Sequence, residues 1–202
     1  MMRAVIGALA GALSAFAVTA AASTPSFDCA RAASAAEQAV CADGALAALD
    51  RRLAVVWREA LAAARGVADA DTAVPRLRAE QRGWIKGRDD CWKAQVGLAA
   101  CVEAAYRDRI AALQAAWMLV AAAPPVFYRC DDRSEVVVMV MASDTPTARL
   151  ERGDTTVVAW RRPAADGVRY VGPFGVTLHA QDGDAAVVWD PYAPPLTCRR
   201  VD

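Results

Sequence analysis

The spacing of apolar residues changes once along the chain, near the Ala- and Pro-rich segment 121–125. Before this segment, apolar side chains recur every three or four positions, which is the period of an amphipathic α-helix. After it, they alternate with polar residues or form short runs between Gly, Asp and Pro, as β-strands do. The sequence therefore predicts an α + β protein with two separate domains, a helical domain over 27–120 and a β domain over 126–202, joined by a linker at 121–125.

Four helices are predicted over the first half, and together they form a small bundle. A capping box opens the first helix, because the side chains of Ser34 and Glu37 can each accept a hydrogen bond from the other residue's backbone N–H. The third helix is expected to be capped by Asp71 or Thr72 and to hold Pro75 in its first turn. The predicted bounds are Ser34–Cys41, Gly44–Arg65, a third helix from Asp71 or Thr72 through Trp92, and Ala99–Val120.

Large side chains on the inner faces of these helices are expected to form the core. The third helix is expected to turn inward Leu77, Trp84, Ile85, Arg88 and Trp92. Trp57 of the second helix and Trp117 of the fourth are assigned to the same core, since large aromatic residues on helical faces pack more often than they bind ligands.

Short apolar runs separated by Gly, Asp and Pro predict about eight β-strands in the second half. So many strands in so short a segment favour a small antiparallel eight-stranded β-barrel, with a closed sandwich as the alternative. The predicted strands are Val126–Cys130, Glu135–Met141, Ala148–Glu151, Thr155–Trp160, Val168–Val171, Gly175–His179, Ala185–Trp189 and Leu196–Arg200.

Segment 1–22 has a short positive start at Arg3, continues as an Ala-rich apolar stretch and ends with small residues. This pattern predicts a signal peptide that is cleaved after Ala22, with a transmembrane anchor as the alternative. Ala and Gly are only weakly apolar, which favours cleavage. No Leu-x-x-Cys lipobox precedes Cys29. The mature protein is therefore expected to be periplasmic or secreted, without a stable membrane anchor.

All six cysteines lie after this segment, and an even number in an exported chain predicts disulfides. A bond between Cys130 and Cys198 would tie the first predicted strand to the last. Three pairings are possible in the helical half, and we prefer Cys29–Cys41 with Cys91–Cys101, because each closes a short loop at a helix end. No metal or cofactor is predicted, since close Cys-x-x-Cys pairs are absent and His179 is the only histidine.

The charge of the chain is balanced, with 23 Lys+Arg and 23 Asp+Glu. This balance argues against nucleic-acid binding, which needs a basic stripe. Motifs of phosphate loops, zinc proteases and serine hydrolases are absent. The carboxylate pairs Asp89-Asp90 and Asp131-Asp132 lie among arginines, which favours solvated salt bridges over acid–base catalysis. The sequence thus predicts a protein that is not an enzyme.

The most specific motif of the first half is Gln-x-x-Trp-x-x-x-Arg-x-x-Cys, which runs from Gln81 to Cys91. The residues around it are Phe27-Asp28-Cys29, Glu37, Cys41, the run Leu46-x-x-Leu49-Asp50-x-x-Leu53, Cys101, Tyr106, Arg109 and Leu113. On these residues the first half resembles the N-terminal domain of the LprI-type lysozyme inhibitors over most of 27–118. The resemblance implies a protein that binds lysozyme and has no catalytic site of its own.

Segments of the second half match another family in their order and spacing. They are Tyr128-Arg129-Cys130, Ala148–Gly153, Asp166–Tyr170 and Cys198. With them the second half resembles MliC, the membrane-bound inhibitor of c-type lysozyme, over 126–202. The resemblance implies an eight-stranded barrel, with lysozyme, c-type above all, as the partner. It also implies a partner-binding surface formed by Asp166, Gly167, Arg169, Tyr170, Gln181 and Asp182.

Two positions depart from the MliC pattern. In that family a Ser before a Gly, and a Lys before a later Gly, approach the catalytic carboxylates of lysozyme. Here Asp166 stands in place of the Ser, and Gln181 or Asp182 in place of the Lys. A carboxylate brought into an acidic cleft is repelled, and Arg169 offsets this repulsion if it points into the cleft. The Asp166-Gly167 pair also predicts, on its own, a plain type I′ hairpin turn.

Two functions are compatible with these patterns. The favoured one is a lysozyme inhibitor that occludes the active-site cleft with a barrel loop. The alternative is a periplasmic adaptor or a cell-wall glycan-binding protein that reuses the same domains. An exposed aromatic platform of Trp160, Phe174, Trp189 and Tyr192 would favour the alternative.

Overall fold

The computed structural model describes residues 24–201, so the predicted signal peptide at 1–22 lies outside the described part of the chain. None of the helices within 24–201 combines the length and the apolar character that a membrane span requires.

Four α-helices form the first part of the described chain, as predicted. They are α1 (Ala35–Ala42), α2 (Gly44–Gly66), α3 (Ala70–Asp89) and α4 (Leu98–Ala116), with short 3₁₀ turns at Cys29–Arg31 and Asp90–Lys93. The predicted capping box opens α1: Ser34 Oγ accepts from the Glu37 N–H at 3.1 Å, and Glu37 Oε2 accepts from the Ser34 N–H at 3.2 Å. The bundle therefore begins where the sequence indicates.

The bounds of two helices differ from the prediction. Helix α3 begins at Ala70, and neither Asp71 nor Thr72 caps it, because the backbone N–H groups of Thr72 and Ala73 already bond to the carbonyl of Asp69. Helix α4 ends at Ala116, four residues before the predicted end. Met118 adopts a left-handed backbone conformation with φ 52, and the Leu119 N–H bonds back to the Gln114 carbonyl, as in a Schellman-type C-cap.

The bundle core contains a buried arginine. Arg88 is only 6% exposed, and its guanidinium donates to the Tyr106 hydroxyl at 3.0 Å and to Asp89 Oδ1 at 2.7 Å. The Tyr106 hydroxyl in turn donates to Asp50 Oδ1 at 2.9 Å, and Glu37 Oε1 lies 3.6 Å from the guanidinium. Burial raises the pKa of Tyr106, so the hydroxyl stays protonated and continues to donate. The network links all four helices.

The tryptophans follow the core prediction only in part. Trp84 packs edge-on against Tyr106 with ring centroids 5.2 Å apart, and Trp57 and Trp117 pack against the same core. Trp92, however, is 65% exposed and Ile85 is 38% exposed, so their assignment to the inner face is wrong. Helix α3 ends at Asp89, and the 3₁₀ turn that follows rotates Trp92 away from the bundle.

Eight antiparallel strands form a closed barrel, as predicted, and the alternative of a sandwich is excluded. The strands are β1 (Val126–Cys130), β2 (Glu135–Met141), β3 (Thr147–Arg152), β4 (Thr155–Arg162), β5 (Val168–Val171), β6 (Thr177–Gln181), β7 (Asp184–Val188) and β8 (Leu196–Val201). Each strand pairs with the next, and β8 pairs with β1. Strand β6 begins two residues later than predicted, because a turn at Pro173–Gly175 precedes it.

The structure contains the three disulfides preferred from the sequence, Cys29–Cys41, Cys91–Cys101 and Cys130–Cys198. Cys130 and Cys198 are register partners on β1 and β8, so this bond crosses the seam at which the barrel closes. Its sequence separation is 68 residues, for which loop entropy gives a stabilisation of about 4 kcal/mol.

The two ends of the barrel carry different loops, because successive strands run in opposite directions. Loops 142–146, 163–167 and 182–183 lie at one end, which we call the 166 end. The connections 131–134, 153–154, 172–176 and 189–195 lie at the other, which we call the 174 end.

The helical part packs against one side of the barrel. Helix α4 contacts β3 and β4, and the Arg149 guanidinium of β3 donates to the Ala116 carbonyl at 2.5 Å. Arg52 of α2 pairs with Asp144 of the 142–146 loop at 2.5 Å. The predicted linker takes part as well, since the Ala123 N–H donates to the Val140 carbonyl at 2.8 Å. Loops 163–167 and 182–183 stand outside these contacts.

Removing the buried guanidinium should destabilise the bundle strongly. We expect Arg88→Ala to lower the free energy of unfolding by about 3–5 kcal/mol, because Asp89 and the Tyr106 hydroxyl lose their buried donor. Arg88→Lys should recover little of this lost stability, since one ammonium cannot reproduce the paired N–H donors of a guanidinium. The measurement is urea unfolding followed by tryptophan fluorescence. Arg82→Ala, an exposed position on the same helix, is the control, and equal losses for both variants would contradict the account.

Candidate functional site

The predicted partner-binding residues lie at or near the 166 end, but the side chain of one of them, Tyr170, points into the barrel. Asp166 and Gly167 form the end of loop 163–167, and Gln181 and Asp182 lie at the turn between β6 and β7. Arg169 is the second residue of β5 and is exposed. The structure therefore brings together on one rim the two segments that the sequence places fourteen or more residues apart.

Close backbone packing holds these two segments together. Gly167 has φ 59, and a Cβ atom placed on it would lie 2.3 Å from the Ala180 carbonyl oxygen, so only glycine fits. The same loop is held by His179, whose Nε2 lies 3.0 Å from the Asp166 carbonyl oxygen and 3.3 Å from Asp166 Oδ1. A carbonyl and a carboxylate oxygen only accept hydrogen bonds, so Nε2 is the donor. The rim is thus fixed by both backbone and side-chain contacts.

The two Asp-Gly pairs of the rim have different conformations. Asp182 and Gly183 both have positive φ, 50 and 90, and they form the two-residue turn between β6 and β7, as a type I′ hairpin requires. Asp166 and Gly167 instead end a longer loop that spans 163–167 between β4 and β5. The expectation of a plain two-residue turn at Asp166-Gly167 is therefore wrong.

Tyr170 does not belong to this surface. It is 5% exposed and lies in the core of the barrel, so its assignment to the partner-facing side is wrong. Side chains of a strand alternate between the two faces, and Tyr170 shares the inner face of β5 with Val168. Burial raises the pKa of the Tyr170 hydroxyl, and the charge of Arg161 opposes this effect.

A row of basic side chains crosses the outer face of the barrel beside the rim. Arg162, Arg169 and His179 are successive register partners on β4, β5 and β6. Both arginines are exposed, and Arg169 takes part in none of the ion pairs found within residues 24–201. We call the two arginines, Arg162 and Arg169, the cationic row, and His179 continues it on β6. It places positive charge next to the Asp166 carboxylate.

Two open grooves flank the rim. One, of about 360 Å³, lies between Pro146, Arg161 and Gly167. The other, of about 470 Å³, lies between His179, Asp182 and Thr197. Neither groove contains a metal-binding cluster, since no group of three or more His, Cys, Asp and Glu that could hold an ion is found within 24–201. The rim between the two grooves is thus accessible from both sides.

Three of the four aromatic residues considered for a glycan platform, Phe174, Trp189 and Tyr192, lie on connections of the 174 end. Phe174 and Tyr192 are 90% and 97% exposed on loops of the 174 end. Trp189 packs on the barrel core with the Arg152 guanidinium 5.9 Å from its ring centre. Trp160 is half-buried near α4, on the side where the helical part packs. Trp160 is therefore separated from the other three, which share one end of the barrel.

The sequence interpretation missed the contributions of His179 and Arg162. The predicted strand Gly175–His179 gives His179 no role at the rim, although its imidazole holds the loop that carries Asp166. His179 lies opposite Arg169 in the register of β5 and β6. The predicted start of β6 is two residues too early, so the sequence alone does not reveal this pairing. A correct placement of the Pro173–Gly175 turn would have paired the two residues.

Comparisons with known proteins agree with the order of the two parts. The family model of lysozyme inhibitor LprI matches residues 29–113, and that of the membrane-bound lysozyme inhibitor of c-type lysozyme matches 128–196. Proteins named lipoprotein LprI from Mycobacterium bovis and Mycobacterium tuberculosis are 30% identical over 176 residues, which cover 86% of this chain and 83% of theirs. No solved structure matches the chain. These matches confirm the predicted resemblance. Both matched families are lysozyme inhibitors, which are binding proteins and not enzymes.

The contact between Gly167 and Ala180 can be tested with a pair of glycine variants. Gly167 and Gly153 have nearly the same left-handed φ, 59 and 58, but a Cβ on Gly153 meets nothing within 4 Å. Ala at either position should cost about 1–2 kcal/mol for the backbone conformation. Gly167→Ala should cost more, because the methyl group overlaps the carbonyl. Thermal unfolding measures both, and equal shifts in Tm would show that the two rim segments are not in contact.

Proposed function

The chain belongs to the LprI family of lysozyme inhibitors, and we propose that it inhibits c-type lysozyme by inserting the 166 end of its barrel into the active-site cleft. The observation that carries this proposal is the rim itself, in which Asp166, Gly167, Gln181 and Asp182 are held together and left free by the helical part. Inhibition would be steric and electrostatic, without a covalent step. No residue of the chain is needed as an acid, base or nucleophile.

Electrostatics supports insertion of the 166 end into the lysozyme cleft. A glycoside-hydrolysing cleft of the lysozyme type is built around two carboxyl groups, which attract cations and repel anions. Asp166 by itself would oppose insertion. Arg169 and His179 lie beside it, and an arginine can fork onto a carboxylate with two parallel hydrogen bonds. We infer that the cationic row supplies the positive charge that a Lys supplies in MliC-type inhibitors.

We propose that the protein acts in the periplasm or outside the cell, without a lipid anchor on its cysteines. The mycobacterial relatives are named lipoproteins, and a lipid anchor of that kind needs a free cysteine. Here Cys29 is bonded to Cys41, and the other four cysteines are also paired. Fractionation of the producing cells should find the protein in the aqueous periplasmic or culture fraction. Recovery only in the detergent-extracted membrane fraction would contradict this proposal.

The role of the cationic row is tested by inhibition of a c-type lysozyme acting on a bacterial cell-wall suspension. We expect Arg169→Ala to raise the concentration for half-inhibition by about tenfold, which is the effect of losing a central charged contact. Asp166→Ser should lower that concentration, because it removes the repelled carboxylate. Arg129→Ala is the matched control, since this exposed arginine lies near the 174 end and should leave inhibition unchanged.

Three results would count against the proposal. If Arg129→Ala weakens inhibition as much as Arg169→Ala does, the 166 end is not the contact surface. If Asp166→Ser abolishes inhibition, the carboxylate is an attractive contact and the partner's cleft is not acidic there. If the native protein binds cell-wall polymer but does not inhibit, the alternative of a glycan-binding or adaptor protein is favoured, and the exposed Phe174 and Tyr192 become its first candidates.

A further inference from the structure

Two pairs of arginines lie directly opposite each other on neighbouring strands of the barrel. Arg162 of β4 is the register partner of Arg169 of β5, and Arg129 of β1 is the register partner of Arg199 of β8. All four side chains are exposed. Cross-strand partners have Cβ atoms about 4.5–5.5 Å apart, so two like charges placed opposite each other are destabilising. Negative charge close to either pair would relieve this repulsion.

The pair on β1 and β8 has such charge in its own row of register partners. The second partner of Arg129 is Glu135 of β2, whose Oε2 lies 4.0 Å from Arg129 Nη2. The second partner of Arg199 is Asp184 of β7. A carboxylate therefore stands at each end of this row, and its charges balance.

The cationic row has no carboxylate in its row of register partners. The second partner of Arg169 is His179, and the next residue across is Ala186. Arg162 lies beyond the last register pair of β3 with β4, so no side chain of β3 stands opposite it. Asp166 is nearby but pairs with His179, and neither arginine forms an ion pair within residues 24–201. The repulsion between the two arginines is thus left uncompensated.

A groove opens beside Arg162, and no acidic side chain lines it. Its volume is about 360 Å³, and Arg161 lines it together with Arg162, Pro146 and Gly167. Asp108 of α4 interacts with Arg162 through space but lies outside this lining and forms no ion pair with it. A guanidinium presents paired N–H donors that match the oxygens of a carboxylate or a phosphate. The groove therefore offers both space and positive charge to such a group.

We propose that Arg162 and Arg169 form a binding site for a single oxyanion, which enters from this groove. A carboxylate or a phosphate would lie between the two guanidinium groups and accept hydrogen bonds from both, supplying the negative charge that their row lacks. The site is present in the free protein and does not depend on lysozyme inhibition. That a carboxylate of lysozyme fills it in the complex rests on the proposed function.

Thermal unfolding of the free protein tests the repulsion between the two arginines. In chloride at low ionic strength, Arg162→Gln should raise the Tm by about 1–2 °C, because it removes one of two uncompensated like charges. Arg129→Gln is the matched control. It removes an arginine from the balanced row and should not raise the Tm. A Tm for Arg162→Gln at or below that for Arg129→Gln would overturn the proposal.

Inorganic phosphate serves as the probe for the oxyanion site, in the same three proteins. Phosphate stabilises folded proteins generally, so the informative quantity is the difference between variants when phosphate replaces chloride at equal ionic strength. The native protein and Arg129→Gln should gain about 2 °C more in Tm than Arg162→Gln does, because they keep both arginines. Equal gains in all three proteins would overturn the oxyanion site.

Inhibition of a c-type lysozyme in chloride tests whether a carboxylate of the enzyme occupies the site. Arg162→Gln and Arg169→Gln should each raise the concentration for half-inhibition by about tenfold. The double variant should stay well below the product of about one hundredfold, because both arginines hold the same group. A full hundredfold loss would show separate contacts and overturn the shared carboxylate. Absence of any inhibition by the native protein would instead refute the proposed function, while the phosphate comparison still decides the oxyanion site.

Discussion

Taking a guanidinium out of water costs on the order of several kcal/mol unless acceptors surround it, and the fold of this protein is arranged to supply those acceptors to Arg88. Asp89 comes from the same helix, Glu37 from α1 and the Tyr106 hydroxyl from α4, and Tyr106 is in turn bonded to Asp50 of α2. The charge is satisfied only when all four helices are assembled. The motif that identifies the family in this region thus describes a packing requirement of the bundle.

The position of the barrel follows from the same assembly. Helix α4, which carries Tyr106, also packs against β3 and β4, and Arg149 bonds to the carbonyl at its C-terminal end. Arg52 and Asp144 add a contact at the 142–146 loop. One side of the barrel is therefore covered, and the rim formed by loops 163–167 and 182–183 is left free. The helical part thereby fixes the side from which the barrel can be approached.

The sequence predicted the elements better than it predicted the orientation of single residues. Apolar periodicity was enough for four helices and eight strands, and loop closure was enough for the disulfides. Trp92 was misplaced because the helical period was continued past Asp89, where the chain changes to a 3₁₀ turn. Tyr170 was misplaced because a family motif was followed where strand alternation already pointed inward. The contacts of Gly167 and His179 depend on the register between β5 and β6, which is set by a turn with an unusual left-handed Phe174.

The account depends on the 166 end being the surface that meets lysozyme. The most direct test is amide hydrogen exchange of the whole chain, alone and in complex with a c-type lysozyme. We predict slower exchange in peptides that cover 163–169 and 180–184 in the complex, with no change over 172–176 or over α3. Protection confined to the 174 end or to the helical part, with the 166 end unaffected, would contradict it.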